Sequence, residues 1–168
     1  MASPANPGAS DPALAERCMR RAIELGRRAA DAGEGGPFGA VIVRDGVIVG
    51  EGWNRVIARN DPTAHGEIMA IRDACERAGN FDLQGCHIYT SGEPCPMCLG
   101  AIYWARIAHV FYGFSIRAAE SCGFDDRRFF QQLALPREER DVGQTQVLGE
   151  EAFAVLQQYL GKPDRVPY

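Results

Sequence analysis

The sequence lacks any apolar run that approaches the roughly 18 residues of a membrane-spanning helix. Residues 1–10 also lack the basic start and the apolar stretch of a secretory signal. We therefore expect no membrane partner, a cytoplasmic location, and a flexible N-terminal extension over residues 1–10. Residues 11–168 contain no internal repeat or linker, and their number suits a single domain.

The sequence also has no excess of basic side chains. It contains 18 Lys and Arg residues and 22 Asp and Glu residues, which gives a net charge of −4. Binding to a nucleic-acid backbone depends on clustered positive charge that releases counterions. The composition therefore disfavours a nucleic-acid partner and favours a small neutral substrate. Six cysteines are present without any sign of export, so we expect reduced thiols rather than disulfides.

Helical and strand patterns alternate along the chain after an initial hairpin. Apolar spacing predicts helices over residues 11–33, 63–78, 116–121 and 150–160 and from Pro94 or Pro96 to Trp104, with strands over residues 38–44, 47–53, 86–90, 107–114 and 145–148. Asp45-Gly46 favours a tight turn between the first two strands. Such an order indicates a three-layer α/β fold whose central sheet mixes parallel and antiparallel strands.

The strongest functional signal pairs His65-Gly66-Glu67 with Pro94-Cys95-Pro96-Met97-Cys98. His65, Cys95 and Cys98 supply one imidazole and two thiolates, a ligand set that zinc binds readily. Both cysteines lie at the predicted start of a helix, where the helix dipole favours the thiolate form. Three protein ligands leave a fourth position for water, and an open site of this kind lowers the pKa of that water to about 7.

Glu67 is the expected general acid and base of this site. It lies two residues from His65, too close in sequence for both side chains to bind one metal ion comfortably, but near enough to reach the water. A His-x-Glu motif followed by Pro-Cys-x-x-Cys is the pattern of zinc-dependent nucleobase deaminases. The residues therefore predict a zinc-dependent hydrolytic deaminase.

Other interpretations of the same residues stay open. A redox-active Cys-x-x-Cys pair would leave the His-x-Glu motif unexplained. A structural zinc module would need a fourth ligand, for which Cys75, Cys86 and Cys122 are the thiol candidates, although none has suitable spacing. His87 and His109 are flanked by apolar strand residues and fit packed or surface positions better than ligand positions.

Beyond the zinc motif, residues 13–168 resemble the cytidine deaminase-like superfamily and, within it, the bacterial guanine deaminases. The resemblance is carried by the stretches GGPFGAV (35–41), NDPTAH (60–65), EPCPMCLGAIYWAR (93–106) and GFDD (123–126). It implies a three-layer α/β/α cytidine deaminase-like fold, one zinc ion per subunit, and a nucleobase substrate, guanine, that is converted to xanthine and ammonia.

By position, the resemblance implies that Phe38 stacks on the base, Asn54 binds it through its amide, and Asp126 assists proton transfer. From the residues alone, Phe38 also fits a core position and Asn54 a turn. Either Asp125 or Asp126 also fits a turn cap.

The resemblance further implies a homodimer. In guanine deaminases the C-terminal segment is exchanged between two subunits, and its aromatic residue closes the active site of the partner. Here that segment is residues 161–168, and the aromatic residue is Tyr168.

Two positions depart from the family pattern. Gly66 stands where alanine is usual, and Gly92 stands where guanine deaminases usually have cysteine. Since both lie beside the zinc motif, they open the choice of substrate to another small amino-heterocycle or nucleoside, such as cytosine, isocytosine, guanosine or a triazine. Editing of adenosine in tRNA is disfavoured by the acidic charge of the chain.

Overall fold

The computed structural model describes residues 11–167. These residues fall into two compact units that divide between Phe130 and Gln131. The single domain over residues 11–168 stays a prediction, and both the extension over residues 1–10 and Tyr168 lie outside the described residues. Within the described part of the chain, every helix is too short or too polar to cross a membrane.

The first unit contains a four-stranded sheet and its flanking helices. Its elements, in chain order, are α1 (Pro12–Asp31), β1 (Gly39–Arg44), β2 (Val47–Trp53), α2 (Val56–Arg59), α3 (Gly66–Ala78), β3 (His87–Gly92), α4 (Pro96–Trp104), β4 (His109–Phe114), α5 (Ile116–Ser121) and α6 (Asp126–Ala134), of which α6 continues past the division. The strand order is β2-β1-β3-β4. β1 is antiparallel to β2 and β3, whereas β3 and β4 are parallel, so the predicted mixed sheet is confirmed.

β1 is buried on both faces, and its alternating side chains explain the three layers. Ala40 and Ile42 belong to an apolar cluster with residues of α3 and α4. Val41 and Val43 belong to a second cluster with residues of α1. Because successive side chains of a strand point to opposite faces, one apolar run holds helices on both sides of the sheet.

Two glycines of β2 let α3 approach the sheet closely. A Cβ atom on Gly52 would lie 2.2 Å from the backbone nitrogen of Ala70 and 2.4 Å from the carbonyl oxygen of Gly66. A Cβ atom on Gly50 would lie 2.6 Å from the Cβ atom of Ala74. The backbones of β2 and α3 are therefore in direct contact, which holds the N-terminus of α3 against the sheet.

The start of α3 differs from the prediction. The helix begins at Gly66, not near Thr63, and His65 occupies the N-cap position without a side-chain cap. Thr63 is held outside the helix because Asp61 Oδ1 accepts hydrogen bonds from its backbone N–H at 2.8 Å and from its hydroxyl at 2.7 Å. This local turn between Asp61 and Thr63 competes with the helix for the same groups.

The second unit contains a 3₁₀ turn (Arg137–Glu139) and α7 (Gly149–Leu160). The predicted strand over residues 145–148 is wrong, because this segment is irregular and Leu148 adopts a left-handed conformation with φ of 53°. Two short helices, α2 and α6, were not predicted. The sequence does carry a signal for α6, since Phe129, Phe130 and Leu133 recur at helical spacing.

Candidate active site

The predicted zinc ligands meet where the N-termini of α3 and α4 converge. His65 is the N-cap residue of α3 and Cys95 is the N-cap residue of α4, where Pro96 fixes the first helical position. His65 Nδ1 lies 3.7 Å from Cys95 Sγ and 3.6 Å from Cys98 Sγ. Three side chains from two helix starts thus form one compact group of donor atoms.

The geometry of this group fits zinc. With Zn–S distances near 2.3 Å and Zn–N distances near 2.0–2.1 Å, a nitrogen and a sulfur on one tetrahedral zinc ion stand about 3.6 Å apart. Among residues 11–167, the group includes none of Cys75, Cys86 and Cys122, the candidates for a fourth ligand. The arrangement is therefore that of a site with three protein ligands, which matches the predicted open position.

The two thiols and the imidazole form a coupled electrostatic group. Hydrogen bonding with Cys98 and then with His65 lowers the pKa of Cys95 to about 4, against the opposing effect of burial. The hydrogen bond with Cys95 raises the pKa of His65, and burial opposes that rise. The protein thus stabilises negative charge on Cys95 at neutral pH, and a divalent cation is attracted by that charge.

Glu67 lies in the first turn of α3 and is only 5% exposed. Burial raises the pKa of its carboxyl, and the negative charge of Cys95 acts in the same direction. The hydroxyl of the buried Thr90 lies 3.5 Å from Glu67 Oε1 but donates a closer hydrogen bond to the carbonyl oxygen of Gly92, at 2.8 Å. A buried carboxyl with a raised pKa beside a metal site is suited to accept and return a proton.

Asn54 is buried, and the backbone determines the orientation of its side-chain amide. Asn54 Oδ1 accepts hydrogen bonds from the backbone N–H groups of Gly36 at 3.3 Å and Val56 at 3.2 Å. Only the oxygen of the amide can face two donors, so this atom is identified as oxygen. The NH₂ group therefore points away from these two donors, and the side chain offers hydrogen-bond donors to a ligand.

Phe38 connects the loop before β1 to the zinc motif. Its carbonyl oxygen accepts the backbone N–H of Asn54 at 2.8 Å. A Cβ atom on Gly66 would lie 2.9 Å from the same oxygen, so the backbones of Phe38 and Gly66 are in close contact. The Phe38 ring meets Phe124 edge to face, with centroids 4.8 Å apart.

The structure distinguishes the two acidic residues at the start of α6. Asp125 is exposed and pairs with Arg128 at 3.7 Å, whereas Asp126 is half-buried. Burial raises the pKa of the Asp126 carboxyl, and the charge of Cys95 raises it further while that of His65 lowers it. Asp126 therefore lies within electrostatic range of Cys95 and His65.

Sequence reasoning missed three side chains beside this site, namely Thr90, Phe114 and Phe124. β3 and β4 are parallel neighbours, and the carboxyl ends of such strands lie at the same edge of a sheet. That rule indicates Phe114, which ends β4, and Thr90, which lies two residues before the end of β3. Phe124 lies in the stretch 123–126, whose acidic residues carry the more evident chemical signal.

Comparison with known proteins supports this arrangement. Residues 12–114 match the family described as the cytidine and deoxycytidylate deaminase zinc-binding region. The chain is 46% identical to the guanine deaminase of Bacillus subtilis over 91% of this chain and 98% of that protein. Its structure matches the X-ray structure of that enzyme with a TM-score of 0.87.

A tRNA-specific adenosine deaminase is also similar. The chain is 41% identical to the enzyme of Haemophilus influenzae over 70% of this chain and 71% of that protein. The similarity to both enzymes includes the zinc-ligand region.

We predict that Cys98→Ser loses most of its bound zinc. Removal of a direct ligand should weaken zinc affinity by more than the roughly 10–100-fold caused by loss of a supporting residue. Elemental analysis of the purified protein measures the metal content, and the exposed Cys122→Ser variant is the matched control. Equal zinc contents in the two variants would contradict the assignment of the ligands.

Proposed function

Because the chain belongs to the zinc-dependent cytidine and deoxycytidylate deaminase family, we propose that it hydrolyses guanine to xanthine and ammonia. The observation that supports guanine as the substrate is the similarity to a guanine deaminase along nearly the whole of both chains. The overall reaction balances with one water molecule consumed and one ammonia released. It places the protein in the breakdown of purine bases.

The protonation steps belong to Glu67. His65, Cys95 and Cys98 would hold the zinc ion, which would supply the Lewis acidity that lowers the pKa of water to about 7 at open sites of this kind. Glu67 takes one proton from the attacking water and passes it to the ring nitrogen, and then takes the second proton of that water oxygen and passes it to the leaving amino group. Its burial supports this role, since a carboxylate with a raised pKa is a stronger base and takes a proton from water more readily.

Three further side chains bind the base or assist its reaction. Phe38 stacks on the purine ring, and its ring lies in an edge-to-face contact that orients it. Asn54 donates from its NH₂ group to an unprotonated ring nitrogen or a carbonyl oxygen, and guanine presents both. Asp126 assists proton transfer, and its position within electrostatic range of His65 and Cys95 supports this role.

The protein acts as a cytoplasmic homodimer with exchanged C-terminal segments, in which Tyr168 of one chain closes the site of the other. Residues 131–167 contain no buried residue, and α7 exposes Phe153, Leu156 and Leu160. Exposed apolar side chains on one helix favour association with another surface. The six cysteines are free, in keeping with a reducing compartment.

The dimer predicts a molar mass of twice the 18.3 kDa of one chain. Light scattering of the protein as it leaves a size-exclusion column measures this mass directly. A mass of one chain at micromolar concentration would rule out the exchanged segment.

Deamination of tRNA adenosine is the second candidate, because a tRNA-specific adenosine deaminase is also similar. The net charge of −4 argues against it, since binding of a folded RNA depends on basic surface.

We predict that the zinc-loaded protein releases ammonia from guanine faster than from any other compound in a panel. The panel contains cytosine, isocytosine, guanosine, a triazine and tRNA, and ammonia release is measured for each. Inosine formation in tRNA without ammonia from guanine would favour the second candidate. If guanine yields no ammonia, the proposed substrate is rejected, whatever the other compounds yield.

We predict that Glu67→Gln retains zinc and loses at least about a hundredfold in kcat, because the amide cannot carry the proton. The matched control is Glu76→Gln, an exposed position on the same helix. Zinc content and ammonia release are measured on both variants. Full turnover in Glu67→Gln would exclude this residue as the proton carrier, whereas loss of zinc would assign it to the metal site instead.

A further inference from the structure

Phe38, to which we assign the stacking role, is contacted by a second aromatic ring besides that of Phe124. The ring of Phe114 lies 5.7 Å from the ring of Phe38, with an interplanar angle of 61°. Edge-to-face contacts of this kind restrict the tilt of a ring as well as its position. The orientation of Phe38 therefore depends on where the Phe114 ring stands.

The Phe114 ring occupies the space in front of Gly92. Phe114 ends β4 and is the register partner of Gly92 on β3. A Cβ atom on Gly92 would lie 2.6 Å and 2.7 Å from two carbon atoms of the Phe114 ring. Carbon atoms in van der Waals contact are about 3.5–4.0 Å apart, so the ring can stand there only because residue 92 has no side chain.

The backbone on both sides of this contact is held in place. The carbonyl oxygen of Phe114 accepts the backbone N–H of Glu93 at 2.8 Å. The Glu93 carboxylate in turn accepts the backbone N–H of Ile116 at 2.8 Å. Because the two strand ends are tied together, a side chain at position 92 would displace the half-exposed Phe114 ring rather than separate the strands.

We propose that Phe114 is a positioning residue for the substrate base, and that Gly92 provides the space in which it stands. The inference rests on the proposed stacking role of Phe38. Phe114 acts through the ring of Phe38, so the pair governs binding of the base and not proton transfer. A substitution at either position should therefore change KM and leave kcat nearly unchanged.

The test compares Gly92→Ala, Phe114→Leu and the double variant in steady-state deamination of guanine. Each single substitution should raise KM about threefold to tenfold, which is the factor that the free energy of one aromatic contact corresponds to. The kcat should stay within about twofold of the parent. The double variant should show the same KM as Phe114→Leu, because the methyl group added at position 92 then displaces no ring.

Two matched controls separate this effect from general destabilisation. Gly100→Ala adds a methyl group that has no atom within 4 Å, and Phe129→Leu shortens an exposed aromatic side chain. Both should keep the parent KM. The proposal is overturned if the effects of Gly92→Ala and Phe114→Leu on KM multiply in the double variant, or if kcat falls as far as KM rises.

Crystal structures of the parent and Gly92→Ala distinguish failure of this inference from failure of the proposed function. If the parent releases no ammonia from guanine, the proposed function fails and the structures alone decide. A displaced Phe114 ring with a changed tilt of Phe38 supports the coupling. Unmoved rings in Gly92→Ala overturn it, whatever the enzyme acts on.

Discussion

The contact between the backbones of α3 and the sheet determines where the chemistry takes place. Gly50 and Gly52 remove the side chains that would separate β2 from α3, and Gly66 lets the helix start lie against Phe38. The same contact fixes His65 and Glu67, which flank Gly66. His65, Glu67 and the loop that carries Phe38 are thus positioned by one close approach, which only residues without a side chain allow.

The site places Glu67 and Cys95 at the positive ends of two helices, α3 and α4, with Asp126 in the first turn of α6. Cys95 carries a lowered pKa, while the pKa values of the Glu67 and Asp126 carboxyls are raised by burial and by that thiolate. Helix dipoles and His65 offset part of this negative charge. A divalent cation would offset more of it, and for this reason metal binding and the protonation state of the two carboxyls are expected to be physically linked.

Much of this arrangement was predictable because the signals are local. The spacing of Cys95 and Cys98 within one helical turn, and the continuous apolar run of β1, are features that short segments carry by themselves. The resemblance added Phe38, Asn54 and Asp126, which no local pattern separates from core or turn residues. The contact of Phe114 with Gly92 depends on the register of two strands, and a sequence alone does not give that register.

The predicted strand over residues 145–148 failed because strand propensity over four residues is not sufficient. Such a segment forms a strand only where a neighbouring strand offers a free edge.

The orientation of the Asn54 amide has a consequence for the choice of base. Two backbone N–H groups hold its oxygen, so only the NH₂ group is left for a ligand, and in the proposed role it would donate to an atom of the base that carries no hydrogen. An aspartate in its place would satisfy the same two N–H groups with one oxygen and present the other as an acceptor. At nearly constant shape, the site would then prefer bases that bear a proton at that edge, so in the proposed role one atom of Asn54 would decide which tautomer of the base binds.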